Sequence, residues 1–247
     1  MTTLTWILSA TLINGLIAFV GAFALFFKNK QLEKLIFILV AFATGALLGG
    51  AFFHLIPEVY QKIEGVKAST LILTGFCLFF IIERILHWRH CHEQNDCDTH
   101  PVSSLVLIGD GIHNLADGLI IAGAFLVDIR LGVITSLLII SHEIPQELGN
   151  FAILLKAKMP AKRALIYNFI FQCTAIIGGI VGYIIGKESE NFVPIVLAFA
   201  AGGFIYISAS DLLPELHKES NLKKSITSFF IFLLGIIFAY ITKVFFE

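Results

Sequence analysis

Long apolar runs alternate with short polar breaks along the whole chain, and eight of these runs have the length of a bilayer crossing. They fall at approximately 5–27, 34–57, 70–88, 101–126, 131–155, 162–186, 192–216 and 225–246. A helix needs about 20 predominantly apolar residues to cross the hydrocarbon core. The alternating segments of roughly ten residues that mark a membrane β-barrel are absent. The pattern therefore predicts an all-α polytopic membrane protein. It predicts a single domain over 1–247, because no polar stretch between the runs is long enough to fold alone.

Composition agrees with that reading. The chain is 57% hydrophobic and 14% charged, with a mean hydropathy of +0.87, whereas a soluble domain carries nearer a quarter charged residues. Met1 to Ala10 contains no Lys or Arg. The basic region of a cleaved signal peptide is missing, so the first run is expected to remain as a span. The four cysteines, Cys77, Cys91, Cys97 and Cys173, form no disulfide framework. Charge sets the orientation. Of the 17 basic residues all but Lys62, Lys67, Arg130, Lys187 and Lys243 fall on one side of the predicted spans. The heavier side should be cytoplasmic, which puts both termini outside and the loops after spans 1, 3, 5 and 7 inside. A multi-pass place in a cytoplasmic (inner) membrane is expected, with no nucleic-acid partner.

A repeat runs through spans 2 and 7. AFATGALLGGAFFHLIPE, residues 41–58, aligns without a gap to AFAAGGFIYISASDLLPE, residues 198–215, with Gly45/Gly202, Leu55/Leu212, Pro57/Pro214 and Glu58/Glu215 among the identical pairs. These spans are antiparallel in the predicted topology. Spans 1–3 and 6–8 would then be inverted repeats flanking spans 4 and 5, an arrangement that recurs around ion sites at the bilayer midplane.

Polar chemistry concentrates in those central spans. Span 4 contains His113-Asn114-Leu115-Ala116-Asp117-Gly118, and span 5 contains His142-Glu143-Ile144-Pro145-Gln146-Glu147. Ionisable groups at bilayer depth are costly unless paired, hydrated or bound to an ion, and they mark functional sites. His113 and Asp117 share a helix face at i,i+4, as do His142 and Gln146. Packed antiparallel, these four would meet around one ion. Asn114, Asp117, Glu143 and Glu147 would meet around a second, with Asp117 bridging. Mixed imidazole and carboxylate donors suit a borderline divalent cation such as zinc or ferrous iron. Pro145 should free the Ser141 carbonyl, which is tolerated at depth only where it lines protein or water.

Other polar positions read as a pathway. Asp110 lies one turn before Asn114, towards the predicted inner exit; Gln172 shares a face of span 6 with Asn168, where packing and a supporting role are equally open. His54 sits near the predicted outer mouth and Asp211 near the inner one. The loop HWRHCHEQNDCDTH, residues 87–100, carries His90, Cys91, His92 and Cys97. Such a tract is a metal-capture candidate, although its spacing fits no closed structural zinc module.

HNLADG and HEIPQELGNF closely resemble the signatures of the ZIP (Zrt/Irt-like) divalent metal transporters. FFHLIPE, SASDLLPEL and the count of eight spans extend the likeness to nearly the whole chain. The resemblance implies transport of zinc or a related ion, with iron and manganese as alternatives, into the cytoplasm. It also implies a 3+2+3 inverted-repeat fold, a homodimer, and a rocking or elevator-like motion of spans 1, 4, 5 and 6 against 2, 3, 7 and 8. The metal is cargo, and no cofactor is implied. Carried over by residue, the primary site takes His113, Asp117, His142 and Gln146, and the secondary site Asn114, Asp117, Glu143 and Gln146. Gln146 departs from the His or Glu common in the family, and Asn150 from a common Asp. The alternative of another class is an intramembrane metal-dependent hydrolase, since His142-Glu143 matches the start of a HExxH motif. Gln146 stands where the second His of that motif belongs, and no nucleophile or oxyanion donors are evident, so an enzyme is not expected.

Overall fold

The structure, a computed structural model of the chain, describes residues 2–26, 29–91, 100–189 and 191–246. These residues contain helices and no strands. α1 (Thr3–Leu16) runs into a 3₁₀ segment (Ile17–Phe26). α2 (Asn29–Gly50) continues through a π turn (Ala51–Leu55) into α3 (Ile56–Lys62). α4 (Gly65–Cys91), α5 (His100–Val127) and α6 (Ile129–Lys156) follow, and α7 (Ala161–Gln172) and α8 (Thr174–Glu188) are separated by the single residue Cys173. α9 (Phe192–Tyr206) passes through a second π turn (Ile207–Leu212) into α10 (Leu213–His217), and α11 (Leu222–Phe246) ends the bundle.

Seven helical stretches among the described residues are long and apolar enough to cross a membrane. α6 is not among them, although its 28 residues have the length. The reason is chemical: His142, Glu143, Gln146 and Glu147 crowd its C-terminal half and lower its hydropathy. α6 also continues as helix through Pro145, so the proline makes no break in the register of the HEIPQE motif.

The two π turns share one cause. Pro57 and Pro214 have no N–H, and a proline ring collides with the carbonyl four residues back in an α-helix. Widening the turn before each proline relieves this. The Ile56 N–H bonds to the Ala51 carbonyl and the Leu213 N–H to the Ser208 carbonyl, each five residues back. The turns fall at corresponding places in the two repeat segments. The close packing corresponds too. A Cβ at Gly45 would strike the Phe232 carbonyl of α11, and one at Gly202 the Ile72 carbonyl of α4. α2 thus lies tightly along α11 as α9 lies along α4.

The apolar core has two parts. The larger joins α1, α2, α5, α6 and α9 through side chains such as Leu47, Ile121, Leu138, Leu197 and Phe204. The smaller packs Leu148, Phe151 and Leu154 of α6 against Ala24, Leu107 and Ala164. α4 and α11 leave most of their apolar surface outward, while α5 and α9 are largely enclosed. The polar motifs of α5 and α6 therefore sit in the most protected part of the bundle.

Candidate metal centre

His113, Asp117, His142 and Glu143 converge, each offering one ligand atom within 4.8 Å of the others. The two imidazole Nε2 atoms are 3.1 Å apart. Asp117 Oδ2 lies 3.8 Å from His113 Nε2 and 3.6 Å from His142 Nε2. Glu143 Oε1 lies 3.4 Å and 3.5 Å from the same two nitrogens. Four ligands at zinc bond lengths in a tetrahedron are separated by roughly 3.3–3.6 Å, so the donor atoms already lie near the edges of such a figure. Asp117 Oδ2 and Glu143 Oε1 are buried and accept no hydrogen bond. An unsatisfied buried acceptor costs about 1–3 kcal/mol, more when charged, and a shared cation removes that cost for both.

Three of the four residues are buried, while the His113 side chain is 17% exposed and lines a cavity of about 360 Å³. Phe79, Glu83, Asp110, Gln146, Tyr206 and Asp211 also line it. Phe79 of α4 meets the His113 ring edge-on, and Phe204 of α9 does the same to His142. The Tyr206 hydroxyl donates to Glu83, tying α9 to α4 at the cavity wall.

The partners of the other predicted residues differ from the helical-face expectation. Glu143, expected in the second group, reaches the first, because its side chain has the length to turn back across the 100° between neighbouring positions. Gln146 points its Nε2 at Asp110 Oδ1, 3.2 Å away, where the Asn150 amide also donates at 2.8 Å. Asp110 Oδ2 is left without a partner. Asn114 donates to the Asp110 backbone carbonyl. Glu147 Oε2 accepts from Asn168 at 2.7 Å, and Glu143 Oε2 from Gln172 at 2.6 Å. These two amides of α7 grip both carboxylates of α6.

His54 is engaged elsewhere. Its Nε2–H donates to the Ala239 carbonyl of α11 at 2.9 Å, and Thr242 Oγ1 lies 3.1 Å away. Asp211, by contrast, lines the cavity. The loop site at His90, Cys91, His92 and Cys97 lies outside the residues whose side chains are described. Three polar residues escaped the sequence reading altogether: Glu83 and Tyr206 at the cavity wall, and Asn14. Asn14 of α1 is fully buried and donates to Asn114 Oδ1 at 3.2 Å. Its only signal was an amide midway along an apolar span.

A multi-pass helical membrane protein with a buried imidazole–carboxylate cluster is the class defined by this arrangement. The family profile described as ZIP Zinc transporter matches residues 3–103 and 88–243, and the chain belongs to that family. It is similar to zinc transporter ZIP10 of Danio rerio, 40% identical over 133 residues, or 53% of this chain and 16% of that protein. Zinc transporter ZIP6 of Homo sapiens is 39% identical over 130 residues, 52% of this chain and 17% of its own. Metal cation symporter ZIP14 of Xenopus tropicalis is 28% identical over 269 aligned positions, 79% of this chain and 58% of its own. The chain thus spans about a sixth of the length of its ZIP10 and ZIP6 relatives and over half that of ZIP14.

Proposed function

We propose that this protein moves a divalent metal cation, zinc in preference to iron or manganese, across the membrane into the cytoplasm, with the ion held by His113, Asp117, His142 and Glu143. The observation that carries the reading is the set of four donor atoms, two of them orphaned carboxylate oxygens, within 4.8 Å of one another inside the bundle. Two nitrogens and two carboxylate oxygens suit zinc better than a hard ion. ZIP10 and ZIP6 carry zinc transporter in their names, which supports the same metal here.

α6 completes eight spans in this proposal, and the paired π turns, with the matching α2–α11 and α4–α9 contacts, support an inverted repeat around α5 and α6. The whole described chain acts as one transporter domain, with both termini outside and a homodimer as the working unit. The cavity beside the N-terminal half of α5 then faces the cytoplasm, and Asp110 and Asp211 line the way out. Asn114, Glu147, Asn168 and Gln172, with the second oxygen of Glu143, surround a second position close to the first. An intramembrane hydrolase gains nothing from this geometry, because Gln146 holds Asp110 and contributes no second imidazole.

Uptake into proteoliposomes across a panel of Zn, Fe, Mn and Cd is the direct test. Saturable uptake, led by zinc and lost in Asp117→Ala, is expected. Equal uptake by Asp117→Ala, or none by the wild type with any metal, would overturn the proposal.

A further inference from the structure

Three buried amides in this protein share one habit. Asn168 and Gln172 of α7 donate their N–H₂ groups to Glu147 and Glu143, and Asn14 of α1 donates its own to Asn114. In each the amide oxygen is buried without a partner. All three are inaccessible to solvent. An amide placed for packing alone spends both its donor and its acceptor within the bundle. Here donors are spent on α5 and α6 while acceptors stay open.

Thr11 shows what an ordinary buried polar residue looks like on the same helix. It lies one turn before Asn14 and is equally buried, yet its hydroxyl turns back to the carbonyls of Ile7 and Leu8. That bond closes within α1 and reaches no other helix. Asn14 instead crosses to α5 and fixes a named atom. The Asn114 Nδ2 is already held by the Asp110 carbonyl one turn back, so the flip of the Asn114 amide is set and its oxygen faces Asn14. An amide oxygen has two lone pairs. With one occupied by Asn14, the other remains directed and available.

We propose that Asn14 is a positioning residue for metal binding: it orients the Asn114 carbonyl oxygen as a neutral ligand of the second position beside Glu143 and Glu147, and so makes the first span part of the metal-handling machinery. This rests on the proposed two-position reading of α5 and α6. The physical basis is that groups hydrogen-bonded to metal ligands set the orientation of those ligands, and losing them typically costs 10–100-fold in affinity. No charge is added by this contact. It acts on geometry alone, so its effect should appear in apparent affinity before maximal flux.

The test uses the full-length protein in proteoliposomes, with zinc as the probe. Asn14→Leu keeps the side-chain volume and removes the amide; Asn14→Asp keeps the shape and removes the donor. Both are expected to raise the apparent KM for zinc about 10-fold or more, with maximal flux within about twofold of wild type. Thr11→Val is the matched control and should leave KM unchanged. Because Asn14 acts through Asn114, the double variant Asn14→Leu/Asn114→Leu should match Asn114→Leu alone, a non-additive cycle. Wild-type KM in folded Asn14→Leu, an equal KM rise in Thr11→Val, or full additivity in the double variant would each overturn the proposal. If Asn14→Leu fails to fold, Asn14→Asp and the Asn114 background carry the same test. Asp117→Ala in the same assay separates the two levels. Normal zinc uptake there removes the underlying two-position reading, whereas lost uptake beside an unaffected Asn14→Leu removes the role of Asn14 alone.

Discussion

His54 and Asp211 occupy the same place in the aligned segments 41–58 and 198–215, each within a π turn that ends two residues before a proline, yet the bundle uses them in opposite ways. His54 is buried against α11, with its ring N–H on the Ala239 carbonyl. Asp211 stands at the wall of the cavity that reaches His113. One backbone device thus carries a packed imidazole in one segment and a cavity-lining carboxylate in the other. The same contrast separates His54 from the centre of the bundle. His54 has its hydrogen bond, whereas Asp117 Oδ2 and Glu143 Oε1 face two imidazoles and accept nothing. A satisfied buried polar group holds helices together; an orphaned one beside other ligands is built to receive an ion.

The sharpest way to break that distinction is at its extreme. Asp117→Ala should abolish metal uptake while leaving the assembled protein intact, because its carboxylate serves the cluster and no structural hydrogen bond of its Oδ2 is lost. Uptake and melting temperature measured together decide it: normal flux, or a collapsed fold, would erase the contrast. His113→Ala and His142→Ala should follow, each removing one of the four donors and weakening zinc binding by more than the about 10–100-fold typical of a lost supporting hydrogen bond, without loss of folded protein. Calorimetric titration of the purified variants reads this directly.

His54→Leu should invert the outcome. Loss of the imidazole removes the bond that ties the first π turn to α11, while the Ala239 carbonyl keeps the Thr242 hydroxyl, so the variant should lose about 0.5–1.5 kcal/mol of stability, with apparent KM for zinc unchanged. Asp211→Asn at the corresponding position should lower flux with little change in melting. A shared response of the two variants would mean that the repeat partners do the same work.

Hydropathy made the helical rods legible, because crossing a bilayer demands long apolar runs and little else. The expected run 131–155 became Ile129–Lys156, and 192–216 became Phe192–His217. The local departures were not legible. Pro57 and Pro214 announce some distortion, but only the bonds of Ile56 and Leu213 show it to be a π turn. The 3₁₀ segment Ile17–Phe26 has no marker in an apolar run, and the junction at Cys173 splits a run that reads as one helix. Residue types in the site were legible from their cost in a membrane. Their partners were not, since helical faces fix Cα directions and leave the ends of long side chains free. Glu143 and Gln146 both left their expected company for that reason, Glu143 for the imidazoles and Gln146 for Asp110, and Asn14, a lone amide, gave no pattern to read.

The smallest expected effect lies at Gln146, between the two kinds of polar group. Its amide donates to Asp110 at 3.2 Å, as a structural group does, yet its side chain lines the same cavity as His113. Gln146→His places an imidazole one turn after His142, where it can either keep the bond to Asp110 or turn towards the ion. If it turns, zinc gains a softer donor over manganese. Release then slows, because a transporter must bind weakly enough to let go. We expect a lower apparent KM for zinc, with a shift away from manganese and a modest fall in maximal flux. Competition between zinc and manganese on the purified variant reads the outcome. Unchanged selectivity would assign Gln146 to the Asp110 network alone and leave the four-donor cluster complete without it.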